Sequence, residues 1–197
     1  ELRPEILGGE SVAKLLPEAA VHQGIALATP PLPQPGLEEI LRRSGGRRSV
    51  VVALDQVTDP HNVGAILRSA AVFGADALIT TERNAPPESG VLAKSASGGF
   101  EQLPYVKVTN LARALETLKA EGYWCLGFAS EAEATLGAAE IPERCVLILG
   151  AEGPGLRRLT REACDLLVRL PAQGPLRDLN VSNAAAVGLY ELLGRRS

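Results

Sequence analysis

Apolar residues in this chain fall into short unbroken runs separated by stretches in which they recur at helical spacing. Residues 50–54 form the first run. A run without polar positions reads as a strand covered on both faces, because a half-exposed strand alternates. Residues 77–80, 105–108, 123–129, 146–149 and 166–170 are near-continuous versions of the same signal, interrupted by Thr80, Lys107 and Arg169. Between them the period changes. A short helix is expected at 37–43. Asp59-Pro60-His61-Asn62 opens a second, in which Val63, Ile66, Leu67, Ala70 and Ala71 share a face and which Gly74 closes. Further helices are expected up to about Ser95, over Leu111, Leu115 and Leu118, from about 156 to 164, and from about 181 to 193. Strands alternating with helices predict an α/β fold, a parallel sheet with helices on both faces.

The pattern is less regular before residue 37. Residues 1–29 mix short apolar stretches with Gly8-Gly9, Pro17 and Gly24, and Pro30, Pro31, Pro33, Pro35 and Gly36 mark a linker. The expected organisation is residues 1–36 as the remnant of a preceding N-terminal domain plus a proline-rich linker, and 37–197 as the main domain. The chain opens on Glu1 and contains no Met, which predicts further sequence upstream.

Composition narrows the chemistry. With 46% apolar and 4% aromatic residues, the chain suits aliphatic parallel strands better than an aromatic base-stacking platform. The net charge of -3 does not announce a nucleic-acid binder, yet the arginines cluster: Arg42-Arg43 with Arg47-Arg48, Arg157-Arg158 with Arg161, and Arg195-Arg196. Each cluster reads either as solvated surface charge or as part of a phosphate-facing surface. Cys125, Cys145 and Cys164 are odd in number and lack C-x-x-C spacing, so neither a disulfide framework nor a metal site is indicated, and a reducing cytoplasm fits. No apolar run approaches membrane-spanning length, so no membrane partner is expected.

Two loops follow apolar strands near the C-terminus. One is Gly150-Ala151-Glu152-Gly153-Pro154-Gly155; the other runs from Leu170-Pro171-Ala172-Gln173-Gly174 into Leu179-Asn180-Val181-Ser182-Asn183. Open loops at the carboxyl ends of parallel strands are where such folds bind ligands. The first loop has neither the G-x-G-x-x-G order of a dinucleotide site nor the Gly-Lys-Ser/Thr of a P-loop. Glu152 reads as a ligand contact or as a loop brace. Asn180, Ser182 and Asn62 read as site residues or helix caps. His61 reads as a turn residue, and no Ser or Cys partner supports a hydrolase triad. Arg68, outside its helix's apolar stripe, is suited to holding a phosphate or carboxylate, or a surface salt bridge.

Asp59-x-x-Asn62-x-Gly64-x-x-x-Arg68-x-Ala70, Leu149-Gly150-x-Glu152-Gly153-x-Gly155, and Leu170-Pro171-x-x-Gly174 with Leu179-Asn180-Val181-Ser182 together resemble the three motifs of the SpoU or TrmH family, RNA ribose 2'-O-methyltransferases of the knotted SPOUT class. The likeness runs from Val50 to the C-terminus. His22-Gln23-Gly24-Ile25 resembles the junction after the N-terminal RNA-binding domain in the branch acting on a guanosine of large-subunit (23S) rRNA. The resemblance implies a C-terminal trefoil knot, a homodimer whose active sites are completed at the subunit interface, S-adenosylmethionine as cofactor, and RNA as substrate, rRNA ahead of tRNA. It implies that Gly150, Leu170 and Leu179 hold the adenosine part, that Ala129 and Ala151 line the pocket, and that Ser182 belongs to the same cofactor set. Asn62, Arg68, Glu152 and Asn180 are the implied catalytic positions. An arginine's high pKa disfavours Arg68 as base and favours phosphate holding and hydroxyl orientation.

Asp178 departs from the Ser common before Leu-Asn-Val-Ser in the family, and Ala172 replaces a frequent Met. A carboxylate at 178 could accept the ribose proton or repel RNA phosphate. A tRNA 2'-O-methyltransferase and a non-catalytic RNA-binding relative are the alternative readings.

Overall fold

The computed structural model describes residues 3–17, 20, 22–30, 32–175 and 178–194. Arg195 and Arg196, the last of the expected arginine clusters, lie outside the described residues. The chain divides into two compact units, Glu1–Pro33 and Gln34–Ser197. The first contains helix α1 (Gly9–Lys14), with Glu10 in its first turn and Lys14 in its last, each the sign that suits the helix dipole there.

The second unit holds a parallel sheet of seven strands: β1 (Ser49–Asp55), β2 (Ala77–Thr81), β3 (Tyr105–Val108), β4 (Trp124–Phe128), β5 (Ala134–Thr135), β6 (Arg144–Gly150) and β7 (Leu166–Arg169). Their spatial order is β3-β2-β1-β6-β4-β7-β5. The helices are α2 (Leu37–Ser44), α3 (Pro60–Phe73), α4 (Gly90–Ala96), α5 (Gly99–Gln102), α6 (Leu111–Ala120), α7 (Arg158–Glu162) and α8 (Val181–Leu189).

Every residue of β1 is buried because the two faces of the strand enter different cores. Val50, Val52 and Leu54 pack with Ile66 and Leu67 of α3 and Ala185 and Leu189 of α8. Val51 and Ala53 pack with Ile40 of α2 and Leu111, Leu115 and Leu118 of α6. The period-two alternation is thus present but hidden, since both faces are apolar. Each fully buried Leu or Ile contributes about 1.5–3 kcal/mol over its exposed state.

Helix α3 begins where expected and for a definable reason: the Asp59 carboxylate accepts from the His61 N–H at 3.1 Å, and proline occupies the first helical position. Gly74 ends it with φ of 80°. His61 therefore lies in the helix rather than in a turn, and Asn62 is not the cap. The final helix stops its regular ladder at Leu189 and continues as a π-turn over Tyr190–Gly194, four residues short of the expected end as an α-helix. Helix α7 is shorter than the expected 156–164 because Leu156 and Arg157 belong to the preceding loop. The short α5 and the two-residue β5 had no signal in the periodicity.

Candidate functional site

Strands β1 and β6 run side by side with Asp55 opposite Gly150, so both end at the same edge of the sheet. Asp55 is fully buried, and its carboxylate accepts from the Arg157 backbone N–H at 2.8 Å and from Arg157 Nε at 2.6 Å. That bond pair pulls the chain after Gly155 back over the end of β1. Between them the loop folds on itself through a bridge between Ala151 and Gly155, with the Gly155 N–H donating to the Ala151 carbonyl at 2.9 Å. A Cβ on Gly150 would lie 2.2 Å from the Gly155 carbonyl carbon, so this closure excludes any side chain at 150.

The folded loop forms one wall of a cavity of about 610 Å³. Phe128, Leu149, Val168 and Leu170 from the ends of β4, β6 and β7 line it, together with Val181 and Ala184 from α8. Of the residues expected to contact the cofactor, Ala129, Gly150, Ala151, Leu170 and Leu179 all line this cavity. Ser182 does not; its hydroxyl donates to Asn180 Oδ1 at 2.5 Å. Glu131, Glu152 and Asp178 bring three carboxylates to the lining, and Arg161 and Arg169 bring two guanidiniums. An apolar floor with charges of both signs at its margin suits a small ligand with both apolar and charged parts, and the volume lies within the range of small-molecule sites.

The polar residues of all three motifs meet beside the cavity. Asn180 Nδ2 donates to Glu152 Oε1 at 2.6 Å and to Asn62 Oδ1 at 3.0 Å, and Asn62 Nδ2 donates to the same Glu152 oxygen at 3.3 Å. Asn180 Oδ1 meanwhile accepts from the Ser182 N–H at 2.9 Å, so it caps α8 and braces the glycine loop at once. Glu152 Oε2 keeps its acceptor capacity, with no hydrogen bond among the described residues.

Arg68 is not part of that cluster. It lies about 240° round α3 from Asn62 and about 9 Å along the axis. Its side chain is exposed, lines no part of the cavity and has no ion-pair partner among the described residues. Val72, one turn on from Arg68 along α3, is 73% exposed, and Val187 of α8 and Tyr190 of the turn after it are exposed apolar side chains on the helix that packs against α3.

The arginine clusters resolve differently from a common phosphate-facing surface. Arg157 is committed to Asp55, Arg158 to Glu162 at 2.8 Å, and Arg161 to Glu131. Arg47 pairs with Asp76 and Arg48 donates to the Leu192 carbonyl. Arg42, Arg43, Arg47 and Arg48 precede β1 and so sit at the opposite end of the strand from the cavity. Sequence reasoning missed Asp55, Glu131 and Arg169 as parts of the site. A lone acid ending an apolar run was the available signal for Asp55; the other two had none.

The Glu131 carboxyl is held below the usual range by its own backbone N–H and then by Arg161. Burial pushes the Cys125 thiol up to about 12 and that of Cys164 to about 11, which leaves both protonated and poorly nucleophilic at neutral pH. Among the described residues no group of His, Cys, Asp and Glu is placed to hold a metal ion, and no helix is long and apolar enough to cross a membrane.

Residues 49–190 match the model of the SpoU rRNA Methylase family. A 23S rRNA (guanosine-2'-O-)-methyltransferase RlmB of Pseudomonas aeruginosa is 46% identical over 180 residues, covering 90% of this chain and 72% of that protein. The protein of the same name from Ralstonia nicotianae is 45% identical over 177 residues, covering 89% and 71%. Among solved structures, the SpoU methyltransferase AviRb from Streptomyces viridochromogenes in complex with AdoMet superposes with a TM-score of 0.70 at 29% identity, over 76% of this chain and 58% of that one. An AdoMet-bound rRNA methyltransferase from Sinorhizobium meliloti gives 0.71 at 25% identity, over 80% and 59%. The chain thus spans less than two thirds of these two crystallised proteins.

Proposed function

The chain belongs to the SpoU rRNA methylase family, and from that premise we propose that it is an S-adenosylmethionine-dependent methyltransferase acting on the ribose 2'-hydroxyl of a guanosine in 23S rRNA, in the cytoplasm. The observation that carries this reading is the hydrogen-bonded Asn62–Glu152–Asn180 cluster at the cavity's edge, in which one residue from each of three distant segments converges.

The cavity fits S-adenosylmethionine, which when bound supplies an electrophilic methyl group. Gly150, Leu170 and Leu179 hold its adenosine part, with Ala129 and Ala151 against it. Glu152 Oε2, left free by the two amides that occupy Oε1, orients the incoming hydroxyl. Asn62 and Asn180 fix that carboxylate in one rotamer, and this alignment is where a reaction of a poor nucleophile gains most from the protein. Ser182 acts by orienting Asn180.

Arg68 acts on the cavity of a second copy. Its exposure, its lack of an ion-pair partner among the described residues and the exposed apolar Val72, Val187 and Tyr190 of the α3–α8 region suit a face shared by two protomers, and a single chain leaves Arg68 away from its own cavity. There it holds the RNA phosphate beside the target ribose. The knotted threading of the C-terminal segment and the reading of residues 1–36 as the remnant of an RNA-binding domain belong to the same proposal.

The test is transfer of labelled methyl from S-adenosylmethionine to 23S rRNA, followed by mapping of ribose methylation. The expected result is one methylated guanosine ribose, with Glu152→Ala slower by about 10- to 100-fold, the worth of a hydrogen bond to a charged group. Labelling confined to tRNA would replace the substrate. No transfer together with weak or absent cofactor binding would make the chain a non-catalytic relative.

A further inference from the structure

The charged margin of the cavity contains a built pair that neither the motifs nor the fold requires. Strand β4 ends in a tight turn: the Ala129 N–H donates to the Val168 carbonyl of β7 at 3.0 Å and the Ala132 N–H to the Ala129 carbonyl at 3.1 Å. This turn presents Glu131 at the cavity. Opposite it, α7 presents Arg161, and the two side chains form an ion pair. Helix α7 is itself set in place by Arg157 on the buried Asp55. Each member of the pair therefore stands on an anchored element, across an opening of the same cavity. Their side chains are 60% and 41% exposed, and an ion pair so exposed adds little to stability. Arg158, by contrast, turns outward to Glu162.

We infer that Glu131 and Arg161 form the subsite for the zwitterionic amino-acid end of the donor, Arg161 receiving the α-carboxylate and Glu131 the α-ammonium. This rests on the S-adenosylmethionine reading above. The chemistry is complementary member for member: the ligand offers one charge of each sign, two bonds from one another, to a carboxylate and a guanidinium already held face to face. Each member of the pair neutralises the other and exchanges that partner on binding, so neither of the two charges is left unmatched in either state. The guanidinium fork suits a carboxylate in bidentate fashion. Arg169 lines the same cavity without an ion-pair partner among the described residues and is the competing cation.

Calorimetry with two probes tests this on the full chain. S-Adenosylhomocysteine carries the amino-acid end, and 5'-methylthioadenosine lacks it. The native chain is expected to bind the first at least about tenfold more tightly, the worth of a charge-assisted hydrogen bond. Arg161→Gln and Glu131→Gln are each expected to bring the two affinities within about threefold, while affinity for methylthioadenosine stays within about twofold of native. That unchanged affinity also reports an intact fold. Equal affinities in the native chain would overturn the subsite and leave the donor cavity standing. A parallel loss of both ligands in the variants would overturn it by making the pair merely structural, and so would loss of selectivity in Arg169→Gln alone. Binding of neither probe by the native chain would overturn the donor reading and the subsite with it.

Discussion

Asp55 ends an otherwise apolar strand with a carboxylate that has no solvent contact, and its two acceptor bonds go to one residue, Arg157, across 102 positions of sequence. Removing the carboxylate leaves a backbone N–H and a guanidinium without their partner, and frees the loop that walls the cavity. Asp55→Ala is expected to cost about 2 kcal/mol, the scale of hydrogen bonds to a charged group, read as a lower urea midpoint with unchanged slope. Affinity for S-adenosylhomocysteine should fall with it. Unchanged stability would mean that the bond pair does not brace the loop. At this scale the sequence was partly legible. The spacing of Asn62, Glu152 and Asn180 against known motifs named three residues that do meet, whereas the choice between cap and ligand could not be made from spacing: Asn180 is both, and Asn62 leaves capping to Asp59. The partner of an arginine is a matter of long-range geometry, which is why Arg157, Arg158 and Arg161 read as one patch and act as three separate pairs.

Among the elements, the glycine loop is the one with least tolerance. Gly150 sits where β6 turns into a loop that returns within van der Waals contact of it, so Gly150→Ala must displace Gly155 and open the bridge at Ala151. Overpacking of this kind costs about 1–3 kcal/mol, and the strain falls on the cavity wall. The expected outcome is a loss of cofactor affinity of about tenfold or more by calorimetry, with far-UV circular dichroism unchanged. Native affinity in this variant would show that the loop's closed form is not the binding form. The central strands were legible because both faces of the sheet are covered, which makes β1 and β6 long apolar runs and the others near-continuous ones; β5, two residues long, offers no run to read. Helix ends were harder. Gly74 announces its stop, but the change from α to π pitch at Tyr190 depends on packing, including the edge-on contact of Tyr190 with Phe73, 6.1 Å between ring centroids.

For the whole molecule, alkaline pH is the simplest probe of the buried core. Cys125, Cys164 and Tyr105 all have their pKa raised by burial, so the fold favours their protonated forms. The unfolded chain releases thiol protons from the ordinary value of 9.0, whereas the folded thiols hold them to about 12 and about 11. Their contribution is fully present below pH 9.0 and is lost as pH rises through that window. Urea midpoints should therefore fall between about pH 9 and about pH 11, and Cys125→Ala with Cys164→Ala should flatten the decline. A midpoint that does not move would place these thiols in water.

The assembly is the remaining question of scale, because one chain brings Asn62, Glu152 and Asn180 to the cavity and leaves Arg68 on an exposed face. Complementation tests the account most directly. Arg68→Ala and Glu152→Ala, each slowed in methyl transfer to 23S rRNA, are mixed under conditions that exchange protomers. If Arg68 serves the cavity of the second copy, mixed dimers hold one intact site and activity returns to about a quarter of native, as random pairing of two-fold symmetric dimers requires. Activity that stays at the level of the separate variants, in a mixture shown to have exchanged, would contradict the shared site.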